Sequence, residues 1–177
     1  VRVRDYGRGI PLGKVIECAS VINTGAKYNS DVFKFSVGLN GVGIKAVNAL
    51  SSHFTVTSSR ESKFKQVFFK NGVIEKEESG KRDDADGTTV VFQPDTAFFP
   101  HFKFDEKIVR KRLWNYAWLN SGLTLHYNNE KFYSRNGLLD LLKEKLDNEQ
   151  LYDIIYFQNT DIEFAFCHTA NFGESYY

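Results

Sequence analysis

The sequence predicts an α+β fold in which helices lie on one face of a mixed sheet. Two segments, VRVR at the start and HFTVTSSR at 53–60, show the two-residue alternation typical of strands with one buried face. Segment 107–119 instead repeats its apolar residues at helical spacing. Hydrophobic residues make up 42% of the 177 residues and aromatic residues 15%, which is enough for one core, or one core with a small annex.

The first half of the chain is predicted to alternate strands and short helices. The opening strand ends in the turn DYGRGIP, and a helix follows over 14–24. After the polar segment TGAKYNSD, a glycine-rich turn leads directly into a second short helix with Ile44 and Val47 on its apolar face. A hairpin is expected over 54–73, followed by a solvated polar loop over 75–86 and by the strand GTTVVFQP.

The second half is predicted to contain two helices and further strands. A helix is expected over 107–119, a strand over 123–127, a helix over 138–146 and strands between 152 and 168. The residues of the first of these helices that are expected to point inward are Ile108, Leu113, Tyr116 and Ala117.

Charge and cysteine usage restrict the classes of function. The 23 basic and 22 acidic residues leave a net charge of +1, which gives no support for DNA binding by this segment itself. Cys18 and Cys167 lie far apart without a CxxC partner, so a reducing, cytoplasmic location is expected. No apolar run approaches the ~20 residues that cross a bilayer, and we expect no membrane contact. Both ends of the sequence are expected to be cut from a longer chain.

The sharpest local motif is SVGLNGVGIKAVN, in which Gly38, Gly41 and Gly43 precede a predicted helix. Glycine lets the backbone approach a ligand closely, and a helix start offers unpaired N–H groups, which together suit a polyphosphate. A plain glycine turn that caps a helix is an equally good interpretation of this motif alone. The spacing GxxGxG excludes the dinucleotide fingerprint GxGxxG, and no GxxxxGK with Ser or Thr is present.

Two further positions could contact a nucleotide base. Asp5 stands at a strand end before GRGIP, where its carboxylate could accept a hydrogen bond from an exocyclic amine. Thr88 follows Gly87 at the start of a strand, where its hydroxyl could complete a small polar patch. Taken singly, an Asp-initiated turn and a β-branched strand residue are the more ordinary interpretations.

Other residues favour ordinary structural roles. The four histidines lack the spacing of a metal site; they are His53, His101, His126 and His168. Trp114 and Trp118 lie one helical turn apart, which favours packing in a core.

The order of the three motifs resembles that of Bergerat-type (gyrase and histidine-kinase-like) ATPases: DxGxGIP, then GLxGVG before a helix, then GTT before a strand. Within this superfamily the chain is most similar to type IIA DNA topoisomerase B subunits, the topoisomerase IV and gyrase branch. The segments that carry this similarity are VRVRDYGRGIP, INTGAKYNSDVFKFSVGLNGVGIKAVNALS and RKRLWNYAWLNSGLTL. A short loop after Pro11 favours a topoisomerase IV-like member.

The resemblance implies a site for ATP with Mg²⁺, and assigns roles by matching positions. Asp5 matches the adenine-binding aspartate, and Thr88 matches the threonine that shares a water with it. Arg60 matches an arginine at the rim of the pocket. The lid lysines would be Lys27 and Lys34. The turn beneath the base and the phosphate loop would comprise Gly9, Ile10, Pro11, Gly38, Leu39, Asn40, Gly41, Val42, Gly43 and Ile44.

Three residues depart from the family pattern. Tyr6 stands where the family often has Asn or Asp, and Ala26 replaces a lid glycine. Asn40 stands where gyrases usually have His, which puts a phosphate contact there in doubt.

The resemblance also implies a division into an ATP-binding domain over 1–148 and the beginning of a transducer domain over 149–177. The catalytic glutamate and magnesium-binding asparagine of the family are expected upstream of Val1, so no catalytic or metal residue is assigned and the segment alone is expected to be inactive. The intact protein would couple ATP-driven dimerisation of B subunits to DNA strand passage with an A subunit. The alternatives are a chaperone or mismatch-repair ATPase of the same fold, and a nucleotide-binding module without turnover.

Overall fold

A computed structural model describes residues 1–24, 41–146, 150–170 and 173–174. The chain forms two compact units, Val1–Phe102 and Lys103–Tyr177. The domain division expected from the sequence stays a prediction, because residues 147–149 at its boundary lie outside the described residues.

The first unit contains a five-stranded sheet in the order β1-β5-β2-β3-β4. The strands are β1 (Arg2–Arg4), β2 (Ser51–Arg60), β3 (Lys63–Lys70), β4 (Val73–Lys81) and β5 (Gly87–Pro94). Every pairing in this sheet is antiparallel, so the expectation of a mixed sheet was wrong. The reason lies in the connections: two-residue turns join β2 to β3 and β3 to β4, and such turns pair strands only in the antiparallel sense.

The polar segment that was expected to be a loop over 75–86 is largely a strand. Its first part forms β4, and only residues 82–86 lie outside regular structure. An edge strand needs backbone pairing rather than apolar side chains, and charged residues protect such an edge from further pairing. Glu77 on β4 forms an ion pair with Lys65 on β3 at 2.8 Å.

Two short helices cover one face of the sheet. They are α1 (Val15–Ser20), which follows a 3₁₀ turn over Leu12–Lys14, and α2 (Gly43–Ala49). Helix α1 is shorter than predicted, because Val21 is already extended and Asn23 is left-handed with φ of 60°. The buried residues that form the core between helices and sheet are Val15, Ala19, Phe54, Val56, Val67 and Phe69.

Strand register distributes side chains between two faces of this sheet. Val56 pairs with Val90, and both belong to or pack against the core, so this is the helix-covered face. Because side chains alternate, the next pair, Thr57 and Thr89, points to the opposite face. The side chain of Arg4 points to the same opposite face, because Arg4 pairs with Thr89.

The second unit contains two helices and two hairpins. The helices are α3 (Glu106–Leu119) and α4 (Leu138–Lys145), and the hairpins are β6 (Thr124–Tyr127) with β7 (Glu130–Tyr133) and β8 (Ile155–Gln158) with β9 (Glu163–Phe166). Asp105 caps α3, since its carboxylate accepts hydrogen bonds from the N–H groups of Lys107 and Ile108.

The packing of α3 agrees only in part with the prediction made from the sequence. The rings of Trp114 and Trp118 are stacked with centroids 5.3 Å apart, and Phe132 meets Trp114 edge-on, which confirms the predicted core role of the tryptophans. Ala117 is buried as expected, whereas Ile108 and Tyr116 are 59% and 57% exposed, so their predicted inward orientation is wrong. The buried face of α3 follows the two tryptophans instead.

Asp140 in the first turn of α4 organises the preceding loop, and its ionisation is expected to support the second unit. Its carboxylate accepts hydrogen bonds from the Ser134 hydroxyl at 2.7 Å and from the backbone and side-chain N–H groups of Asn136. Burial raises the pKa of Asp140, but these hydrogen bonds outweigh burial and bring the pKa below its ordinary value of 3.8.

We predict that Asp140→Asn lowers the free energy of unfolding by about 1 kcal/mol at neutral pH. Because the folded pKa is depressed, the carboxylate's contribution is fully present above the unfolded pKa near 3.8. It is lost as the pH falls through the lower folded pKa. Urea unfolding of both proteins across this range should show their stabilities converging in acid, whereas Asp153→Asn, at an exposed position, should match wild type throughout. A difference that is independent of pH would contradict the assignment.

Candidate functional site

The turn after β1 is organised around the carboxylate of Asp5. One of its oxygens, Oδ1, accepts hydrogen bonds from the N–H of Gly7 at 2.9 Å and from the N–H of Thr88 at 3.2 Å. The Asp5 backbone N–H in turn donates to the Thr88 carbonyl at 2.9 Å. The structure therefore brings together two predicted residues that are far apart in sequence. No described residue donates to the second oxygen, Oδ2.

The turn GRGIP lies beside the end of β2. The Ser58 hydroxyl donates to the carbonyl of Ile10 at 2.7 Å, and Ser58 is fully buried. Ile10 packs against the core, and Pro11, which follows Gly9 and Ile10, leads into the 3₁₀ turn. Ser58 pairs with Thr88 across the sheet, so this hydroxyl pair lies on the helix-covered face next to Asp5.

Arg60 lies at the end of β2, two residues beyond Ser58 and therefore on the same face. Its guanidinium is within 3.3 Å of Glu61 and about a third exposed. Its assignment to the rim of the pocket stays a prediction, since no described contact joins it to Asp5 or Thr88.

The predicted phosphate loop is described only in its second half. Gly41 and Val42 precede α2, which begins at Gly43, and Ile44 packs against the core. Gly41 has φ of 56°, and a Cβ there would overlap the Thr24 carbonyl, so only glycine fits this close approach of two backbones. The other predicted residues lie outside the described residues; they are Lys27, Lys34, Gly38, Leu39 and Asn40.

Lys45 is a candidate site residue that the sequence reasoning missed. Its side chain is only 7% exposed, and Nζ donates to the Thr24 carbonyl at 2.6 Å. Nζ also lies close to Gly41, where an added Cβ would come within 3.0 Å of it. No described carboxylate pairs with this ammonium. The available signal was a lysine directly after GVGI, since the third residue of a helix points back toward the loop that starts it.

A second polar contact ties α2 to α1. The side-chain amide of Asn48 donates to the Ala19 carbonyl at 3.0 Å, and its Oδ1 is buried without a hydrogen-bond partner among the described residues. Together with the hydrogen bond from Lys45 to Thr24, this contact ties α2 to α1 and to the residues that follow α1.

In the described ranges, no three His, Cys, Asp or Glu side chains come together as a metal site. The described helices include none that is both long and apolar enough to cross a membrane.

The chain is 52% identical, over its whole length, to the B subunit of DNA topoisomerase 4 from Borreliella burgdorferi. It is 33% identical over 98% of its length to the corresponding topoisomerase 4 protein of Mycoplasma capricolum, and 32% identical over 98% to the B subunit of DNA gyrase from Helicobacter pylori. It spans 30%, 30% and 26% of these proteins, respectively. No protein-family model matches the chain.

A solved structure supports the same relationship. The crystal structure of the 43K ATPase domain of Thermus thermophilus gyrase B, in complex with an aminocoumarin, superimposes with a TM-score of 0.67. The match covers 93% of this chain and 46% of that chain at 29% identity. The fold is thus that of the gyrase-type, or Bergerat, ATPase region. The chain belongs to the type II DNA topoisomerase B-subunit family and corresponds to part of its ATPase region.

Proposed function

We propose that this chain binds ATP as part of a type II DNA topoisomerase B subunit. The observation that carries the proposal is the carboxylate of Asp5. Its Oδ1 is oriented by two backbone N–H groups, and these leave Oδ2 as a fixed acceptor beside the turn at Gly9. An exocyclic amine such as N6 of adenine is the donor that such an acceptor selects. The hydroxyls of Thr88 and Ser58 lie next to it on the same sheet face.

The phosphates are proposed to lie at the start of α2. The turn Gly41–Gly43 offers backbone N–H groups, and Lys45 adds a positive charge beside them. Among the described residues this buried ammonium has a single carbonyl acceptor, which compensates its charge poorly. A phosphate oxygen would supply the missing negative charge. Lys27, Lys34 and the segment 38–40 join this subsite by resemblance to the family.

The activity of the whole protein is a wider proposal, because the chain spans about 30% of the topoisomerase IV relatives. We propose that ATP binding drives dimerisation of B subunits, and that hydrolysis accompanies passage of one DNA duplex through another with an A subunit. Residues 149–177 would begin the transducer domain that follows an ATP-binding domain over 1–148. The relatives are bacterial DNA topoisomerases, which supports a cytoplasmic location.

We propose that Mg²⁺ accompanies the bound ATP, as the resemblance to the family implies, without assigning its ligands among the described residues. No three His, Cys, Asp or Glu side chains meet among them, and the candidate contacts to the nucleotide come from glycine N–H groups, hydroxyls, Asp5 and Lys45. We therefore assign no metal ligand and no catalytic step to this part of the chain.

Calorimetric titration with a non-hydrolysable ATP analogue tests the nucleotide site. Lys45→Met keeps the buried aliphatic stem and removes the charge, so we expect it to weaken binding about tenfold, as loss of one hydrogen bond to a charged group does, with little loss of stability. The matched control is Lys63→Met, at an exposed position on β3, which should bind like wild type.

Two outcomes would contradict the proposal. Absence of analogue binding by the full-length protein would remove the nucleotide site altogether. Unchanged affinity of Lys45→Met would remove Lys45 from the phosphate subsite and leave Asp5 to be tested separately. A phosphate-release assay on the full-length protein then distinguishes an ATPase from a binding module without turnover.

A further inference from the structure

A cavity of about 510 Å³ lies on the sheet face opposite the proposed nucleotide site. Its floor comes from the central strands, where Thr57, Ser59 and Thr89 line it. Arg2 and Arg4 of β1 form one wall, and residues of the loop 82–86 form the other. The volume falls in the ~300–1,000 Å³ range of small-molecule sites. We call this cavity the open-face groove.

The charges around the open-face groove are predominantly positive. Three arginines line it, Arg2, Arg4 and Arg82, against one carboxylate, Asp84. Arg82 lies 3.6 Å from Asp84 and also stacks over the Phe64 ring at 4.1 Å. The contacts of Arg4 are neutral: it donates to the Thr89 hydroxyl at 3.1 Å and to the Ala85 carbonyl at 2.5 Å. Among the described residues, Arg2 has no ion pair or side-chain hydrogen bond.

A buried hydroxyl provides an independent observation. Ser59 is 2% exposed and lines the groove, yet its Oγ has no hydrogen-bond partner among the described residues. A buried hydroxyl without a hydrogen-bond partner destabilises the fold. Guanidinium groups only donate, and a hydroxyl beside them can also donate. The groove therefore presents several donors and calls for a ligand rich in acceptor oxygens.

We propose that the open-face groove binds a phosphate group through Arg2, Arg4 and the Ser59 hydroxyl. A phosphate monoester offers three terminal oxygens, one more than a carboxylate, and arginine pairs with such oxygens in bidentate fashion. The phosphate can come from a small phosphorylated molecule or from the backbone of a nucleic acid. The groove is separate from the proposed nucleotide site, because Thr57 and Thr89 point to the face opposite Ser58 and Thr88.

The test is an NMR titration of the isotope-labelled chain with inorganic phosphate and, separately, with a short duplex DNA. The amides of Thr57, Gln66 and Thr89 report the groove. A saturating ATP analogue should abolish phosphate-induced shifts at Gly41–Ile44 and leave those in the groove. Failure of the nucleotide site is therefore distinguishable from failure of the groove.

Arg2→Gln should weaken the groove shifts about three- to tenfold, as expected for loss of one exposed charge-assisted hydrogen bond. The fold should be retained, because Arg2 forms no ion pair or side-chain hydrogen bond with a described residue. Ser59→Ala should weaken them as well, whereas Arg112→Gln, at an exposed position on α3, should not. Shifts with phosphate alone identify a small molecule as the ligand, and shifts with DNA alone identify the nucleic-acid backbone. Absence of groove shifts with either probe, or equal titrations of Arg2→Gln and wild type, would overturn the proposal.

Discussion

Asp5→Asn is expected to weaken ATP binding about a hundredfold while leaving the fold intact. The substitution replaces only the carboxylate oxygen that faces the base with an amide nitrogen. The substituted amide keeps an oxygen at the Oδ1 position, so the hydrogen bonds from Gly7 and Thr88 are retained. Its NH₂ group then replaces Oδ2. A donor would face the donor of the adenine amine, and both would remain unpaired in the bound state.

Calorimetry with ATP analogue on the full-length protein measures this loss. Asp86→Asn is the matched control, because its Oδ1 also accepts a backbone N–H, from Glu61 at 2.9 Å, and the amide keeps that oxygen. The control should bind like wild type. Equal affinity of Asp5→Asn and wild type, with matching circular dichroism, would exclude Asp5 from the nucleotide site.

Gly87→Ala is expected to destabilise the first unit by at least about 3 kcal/mol. Backbone strain at residue 87 and steric overlap of the added Cβ with Asp5 both contribute to this loss. Gly87 has φ of 139°, a conformation that L side chains rarely adopt. A Cβ there would overlap the Asp5 carbonyl oxygen and lie 3.0 Å from the carbonyl carbon. Both atoms belong to the backbone, so no side-chain rotation relieves the overlap. The pairing between Asp5 and Thr88 must open instead.

Thermal unfolding of the purified chain checks this prediction, with an expected fall in Tm of about 10 °C. If the variant does not fold, the loss of stability is larger than this expectation. Gly13→Ala is the control, because a Cβ at Gly13 meets nothing within 4 Å. A Tm of Gly87→Ala within about 2 °C of the control would show that the strand start accepts a side chain, and that the close approach of the two backbones is not required.

The local chemistry of the candidate site could be predicted from short stretches of sequence. An aspartate before GRGIP and a glycine-rich turn before a helix predict local structure, because both depend on backbone geometry within a few residues. The structure accordingly shows Asp5 in a turn and α2 beginning at Gly43. The assignment of these residues to adenine and phosphate still rests on the family and on the binding experiments.

Lys45 and Ser59 could not be predicted from sequence, because their significance is burial. A lysine on a short helix and a serine in a strand are ordinary surface residues by pattern. Lys45 becomes unusual only because the fold buries it with its ammonium against the Thr24 carbonyl. Ser59 becomes unusual only because the fold buries its hydroxyl without a described hydrogen-bond partner.

Sequence patterns alone were enough to predict the α+β class, the hairpin of β2 and β3, the helices α2, α3 and α4, and the glycine and aspartate turns. Each of these depends on periodicity or on the conformational preference of nearby residues. Three features could be seen only in the folded chain. The charged segment 73–81 pairs as an edge strand, Ile108 and Tyr116 point outward, and β5 lies between β1 and β2. Strand pairing satisfies backbone groups regardless of side-chain polarity, and burial depends on what packs against a residue. Neither strand pairing nor burial can therefore be predicted from the local sequence.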